Sequence, residues 1–221
     1  MHVDIANDDL ENGAERFQRL SIAADIVGQL FLDEPSPEML TALTNPDLLR
    51  DWPLQDPDSR AATELLEQAA VSPDTVEALQ RDHLYLFIGT GAPLAQPYES
   101  PYFSLDGLVL DGVASQVEAF YATVGFQPAL STGGLGNKLG NLPPDHIGFE
   151  LRCIAHVAAL VAGAPNAREY ERLVALLRQF AINHPARFAE QVLAGVTEHA
   201  RTAVYQALPG LTRGVRRAAV A

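Results

Sequence analysis

Residues 144–162 read PDHIGFELRCIAHVAALVA. Ile147, Leu151, Ile154, Ala158 and Val161 recur at steps of three and four, which draws one continuous apolar face along a helix. Asp145 and His146 stand at its start, where a carboxylate can accept from free N–H groups and complement the helix dipole, and where a binding role is an equal alternative. Gly163 ends it.

The same period extends in both directions. Downstream, Pro165 opens a helix with Tyr170, Leu173, Leu177 and Phe180 on one face, and Pro185 opens another with Phe188, Val192, Val196, His199 and Ala203. Near the N-terminus Phe17, Leu20, Ala24, Val27 and Phe31 form a stripe that Ile22, Ile26 and Leu30 widen, until Pro35 and Pro37 stop it. Thr41 to Trp52 reads as short helical pieces broken by Pro46 and Pro53, and Pro57 to Val71 as a modest amphipathic helix. Ser72 as N-cap and Pro73 at the first position predict a helix carrying Val76, Leu79, His83, Leu84, Phe87 and Ile88, stopped by Gly89 and Gly91. Val113, Val117, Phe120 and Val124 predict one more, ended by Gly125.

Residues 89–112, with Pro93, Pro97 and Pro101, and residues 126–143, with Gly133, Gly134, Gly136 and Gly140, read as long connections. No alternating strand pattern of useful length occurs, so the expected class is all-α. The expected organisation is a single all-helical domain over residues 1–221. Its helical groups fall at roughly 1–125 and 144–217, with 126–143 as the hinge.

Composition narrows function. An apolar fraction of 48% and mean hydropathy of +0.02 suit a folded chain. No apolar run reaches the ~20 residues that span a bilayer, and the acidic start, Met1 to Asp9, does not read as a secretory signal. Cytoplasmic localisation is therefore expected. Cys153 is the only cysteine, which excludes an internal disulfide and a cysteine-clustered metal site. Residues 1–120 carry 22 Asp and Glu against 5 Arg, within a net charge of −13. Such a body repels nucleic acid and attracts a basic partner, although acidity also serves solubility alone.

Catalytic constellations are not evident. Gly133-Gly134-Leu135-Gly136 has no preceding strand and no following Lys-Ser/Thr pair, and Lys138 is the only lysine. His146 and Glu150, four apart on one helix face, could both ligate a metal, but no second helix offers a matching pair. His83, His156 and His199 read as packed or boundary residues, Cys153 as a small buried apolar one, and Trp52 as a core plug rather than a groove anchor. Arg213, Arg216 and Arg217 read as a frayed, solvated tail. Neither an enzyme nor a cofactor-bound or metal-bound protein is expected. Loops bearing Pro97, Tyr98, Tyr102 and Phe103 on an acidic body suit a peptide with arginines followed by an apolar stretch.

Three segments carry a family resemblance: Tyr85-Leu86-Phe87-Ile88-Gly89, Pro97-Tyr98-Glu99-Ser100, and Pro144-Asp145-His146-Ile147 with Glu150-Leu151. In order and spacing they resemble the TorD/DmsD/NarJ family of redox-enzyme maturation chaperones. Phe120-Tyr121 with Gly125, the late set Phe180, His184 and Phe188, and Tyr205 are similar to further family positions. The resemblance runs from about residue 80 to 208, with the first 75 residues agreeing only as a helical pattern. It implies an all-helical bundle of TorD type that binds the twin-arginine leader and apo form of a molybdopterin-dependent oxidoreductase. Cofactor insertion and proofreading before export would follow from that binding. By this resemblance Pro144, Asp145, His146 and Glu150 would line the peptide site, with Pro97, Tyr98, Ser100, Tyr85 and Phe87 completing it. A monomer or a domain-swapped dimer is implied. The alternatives are a module that binds the folded client surface rather than its leader, and a metal- or nucleotide-dependent helical enzyme.

Overall fold

A computed structural model describes residues 7–71, 75–89, 91–104, 111–129 and 142–221. Among them are ten α-helices and no strand, as the periodicity predicts. In chain order they are α1 (Asn7–Leu32), α2 (Pro37–Leu43), α3 (Pro46–Arg50), α4 (Pro57–Val71), α5 (Val76–His83), α6 (Asp111–Val124), α7 (Ile147–Ala162), α8 (Ala167–Asn183), α9 (Pro185–His199) and α10 (Ala203–Val220). Most of the predicted hinge, residues 130–141, lies outside the described residues.

The helix read first from the sequence is the central one. Ile147, Leu151, Ile154, Ala158 and Val161 are all buried, and so are Phe149, Cys153 and Val157, so α7 is covered on more than one face. α1 lies along it, burying Phe17, Leu20, Ala24, Val27, Leu30 and Phe31. Ile22, predicted to widen that face, is 47% exposed: it lies beyond the stripe that α7 covers. The two helices touch through backbone where Gly28 and Gly148 meet. A Cβ on Gly148 would stand 2.8 Å from the Gly28 carbonyl and 2.5 Å from Leu32 Cγ. Each glycine is thus a close-approach position within a helix, despite its poor helix propensity.

α10 packs on α4 and α1 and closes the bundle. Its arginines do not fray. Arg213 and Arg216 pair with Glu190 of α9, and Arg217 pairs with Asp56 just before α4 and Asp58 in its first turn, so the basic end is ordered by carboxylates distant in sequence. On the far side, α6 stacks Phe120 on Phe180 of α8, with ring centroids 4.3 Å apart.

α5 is capped by Thr75, whose side chain accepts from the Ala78 N–H at 3.1 Å; Ser72 and Pro73, where the sequence predicts the start, lie outside the described residues. The helix then widens into a π turn, Leu84–Ile88, closed by a 2.6 Å bond from the Gly89 N–H to the Leu84 carbonyl. Gly89 takes φ +71, a left-handed angle that suits glycine, and the chain turns away.

Candidate functional site

The carbonyls left free at the end of the π turn are the first attachment of the loop that follows. Tyr85 and Leu86 accept from the N–H groups of Leu94 and Ala95, at 3.1 and 2.8 Å. The loop then runs antiparallel to the entry of α7. Ile147 N–H donates to the Pro97 carbonyl at 2.8 Å, Glu99 N–H donates to the Asp145 carbonyl at 2.9 Å, and Tyr98 faces His146 between them. The three sequence segments are therefore one hydrogen-bonded unit.

Side chains tighten it. The Asp145 carboxylate does not cap α7; its Oδ2 accepts from the Ser100 N–H at 2.9 Å and from the Ser100 hydroxyl. The cap is His146, whose Nδ1 accepts from the Gly148 N–H at 3.1 Å. Asp145, His146 and Ser100 are all buried. Burial, with His83 nearby, lowers the His146 pKa to about 3, so the ring is neutral and its acceptor nitrogen is available. Tyr98 meets that ring edge-on at 5.0 Å, and burial with Asp145 close by raises its hydroxyl to about 12. Tyr121 of α6 buttresses the turn, its hydroxyl donating to the Pro144 carbonyl at 2.9 Å.

A second polar cluster lies behind the loop. Glu99 is buried, with His184 Nδ1 2.9 Å from one oxygen and the Arg187 guanidinium 3.5 Å from the other. Glu150, the residue paired with His146 by sequence spacing, is also buried, and it groups instead with Glu99 and His184. Burial, with Glu99 and Asp145 beside it, holds its carboxyl well above the usual range. Cys153, one turn along α7, is buried as expected and its thiol is likewise pushed up by burial.

The remaining candidate residues fall in three settings. Pro97 is buried, while Tyr98 and Pro144 are half-buried at the margin of the unit. Phe87 belongs to a core aromatic group with Phe31, His83 and Tyr205. Tyr85 is 44% exposed and lines a surface pocket of about 170 Å³ with Arg81 and Arg201. Trp52 is a core residue at 1% exposure.

Sequence reasoning missed the roles of Glu99 and Arg187. Glu99 pairs with groups 85 and 88 residues away, and no local pattern marks such a carboxylate as buried. Asp82 was missed for the same reason: it accepts from the Arg201 and Thr202 N–H groups and the Thr202 hydroxyl, which fixes the start of α10.

The fold and this unit define an all-helical protein in which buried polar groups hold a proline loop against a central helix. The family model described as nitrate reductase delta subunit matches residues 53–194, and the chain belongs to that family, whose members are chaperones of molybdoenzyme maturation. No curated protein matches the chain significantly. Among the described residues no helix is long and apolar enough to cross a membrane.

Proposed function

We propose that this protein is a cytoplasmic, non-enzymatic chaperone that binds the basic twin-arginine leader and the apo form of a molybdopterin-dependent oxidoreductase, and releases the client for export after cofactor insertion. The observation that carries this reading is the single unit built from the π turn, the proline loop and the entry of α7. Side chains suited to peptide contact sit at its margin. Tyr98, Tyr102 and Pro144 are half-buried there, Leu94 is 48% exposed, and Phe103 is 39% exposed with the Arg187 guanidinium 3.9 Å from its ring centroid. Aromatic and proline side chains give apolar contact at small entropic cost. The acidic excess of residues 1–120 supplies the field that draws in a leader bearing arginines.

In this reading Tyr98, Pro144 and Tyr85 contact the leader. Asp145, His146, Ser100, Pro97, Glu150 and Phe87 act from behind, because they are buried and hold the wall in place.

Calorimetry with a synthetic peptide of two consecutive arginines and a following apolar stretch tests it. Binding that weakens with added salt and with Tyr98→Ala is expected. Absence of binding, together with co-purification of a client lacking its leader, would sink leader recognition in favour of contact with the folded client surface.

A further inference from the structure

Two buried carboxyl groups in one cluster pose an electrostatic question. Glu99, Glu150 and His184 each offer an atom within 4.8 Å of the others, and both glutamates are fully buried. Two carboxylates so close, in a low-dielectric interior, repel each other unless one holds a proton or a cation sits between them.

Their partners decide which one keeps the charge. Glu99 has the His184 ring nitrogen at 2.9 Å and the Arg187 guanidinium at 3.5 Å, which together favour an anion there. Neither oxygen of Glu150 accepts a hydrogen bond from a donor group, so nothing favours an anion there. The other titratable groups facing Glu150 do not help it ionise. Asp145, ahead of it at the entry of α7, is a carboxyl group itself, and Tyr121 of α6 and Cys153 of α7 are held protonated by burial. A divalent ion would also relieve the pair, but it would have to sit beside the guanidinium that already balances Glu99.

We propose that Glu150 is a neutral carboxylic acid that donates its proton in a hydrogen bond to the Glu99 carboxylate. The chain Arg187/His184–Glu99–Glu150 then pins the proline loop between α7 and the junction of α8 and α9. Glu150 is thereby a positioning residue: it fixes Glu99, which lies between Tyr98 and Ser100 in the wall assigned to the leader. That last link rests on the proposed function; the shared proton does not.

The test compares Glu150→Gln with Glu99→Gln in the full chain. A carboxamide can still donate to Glu99, so Glu150→Gln is expected to keep a near-native melting temperature and to bind the twin-arginine peptide within about twofold of the parent. Glu99→Gln removes the anion between Arg187 and His184, and it is expected to lower the melting temperature and weaken peptide binding by about tenfold or more. Infrared spectroscopy reads the proton directly, even if Glu99→Gln does not fold. The parent minus Glu150→Gln difference spectrum at neutral pH should contain a protonated-carboxyl carbonyl band. Absence of that band overturns the proposal, as does a Glu150→Gln variant as destabilised as Glu99→Gln. A stoichiometric metal in the purified parent that Glu150→Gln loses would also overturn it and assign the cluster to a cation. If the band and the stability contrast appear but no peptide binds, the shared proton stands and the leader-binding reading fails.

Discussion

The carboxylate of Asp145 accepts from the backbone N–H of Ser100 at 2.9 Å and from the hydroxyl of the same residue, across 45 positions of chain. One oxygen thus secures two buried donors that the loop backbone cannot satisfy by itself. Asp145→Ala would strand both, at a cost of about 3 kcal/mol, whereas Ser100→Ala removes only the hydroxyl bond and should cost about 1 kcal/mol. Denaturant titration of the two variants checks the ratio.

Two buried histidines favour the folded state at neutral over acid pH. His83 and His146 have pKa values lowered from 6.5 to about 4 and about 3, with burial as the main cause in both. Their contribution to stability is complete above 6.5 and is lost as pH falls through those folded values. His146→Asn keeps a capping acceptor but removes one titration, so its melting temperature should fall less steeply than the parent's between pH 6 and about pH 4.

Glu150 acts in the opposite direction. A carboxyl raised in the folded state favours folding fully below 4.5, and that advantage is lost as pH rises toward the folded value. The melting temperature of Glu150→Gln should therefore lack a downward slope that the parent shows as pH rises above 4.5.

The crossing of α1 and α7 tolerates no side chain. A methyl group on Gly148 would meet the Gly28 carbonyl at 2.8 Å, and one on Gly28 would meet the Gly148 carbonyl at the same distance. Backbone cannot move aside as a flexible side chain can, so Gly148→Ala should destabilise by about 1–3 kcal/mol in spite of alanine's better helix propensity. Urea denaturation provides the measurement.

The ion pairs at the end of α10 are half-exposed. Glu190→Ala breaks its contacts with Arg213 and Arg216 and should cost below about 1 kcal/mol, less still in high salt. Paired melts at low and high ionic strength are sufficient to show it.

Periodicity made the helices legible, because a buried face needs apolar residues every three or four positions. That is why α7 and most of the α1 stripe stood out, and why Pro185 marked α9 correctly. What escaped was non-local or sub-periodic. A π turn adds one residue to a helical turn, and no apolar stripe registers it over five positions. Asp145 and His146 carry capping chemistry of similar quality, and only the position of Ser100 decides that the imidazole caps while the carboxylate reaches away. The tail arginines looked solvated because Glu190, Asp56 and Asp58 are remote in sequence. Of the segments singled out by resemblance, the hydrogen-bonded unit brings together all three, but their chemistry is mostly turned inward.

The placement of α1 and α10 also bears on biosynthesis. α7 finds its long partner in α1, which precedes the family-matched region, and α10, which follows it, lies against both α4 and α1; the Tyr205 hydroxyl reaches the Leu30 carbonyl at 3.4 Å across 175 positions. On a translating ribosome α1 must wait for more than a hundred residues before its covering helix emerges, and α10 comes later still. A nascent chain halted short of α10 would leave open to water the apolar faces of α1 and α4 that α10 covers, so those faces stay unpartnered until α10 has been synthesised.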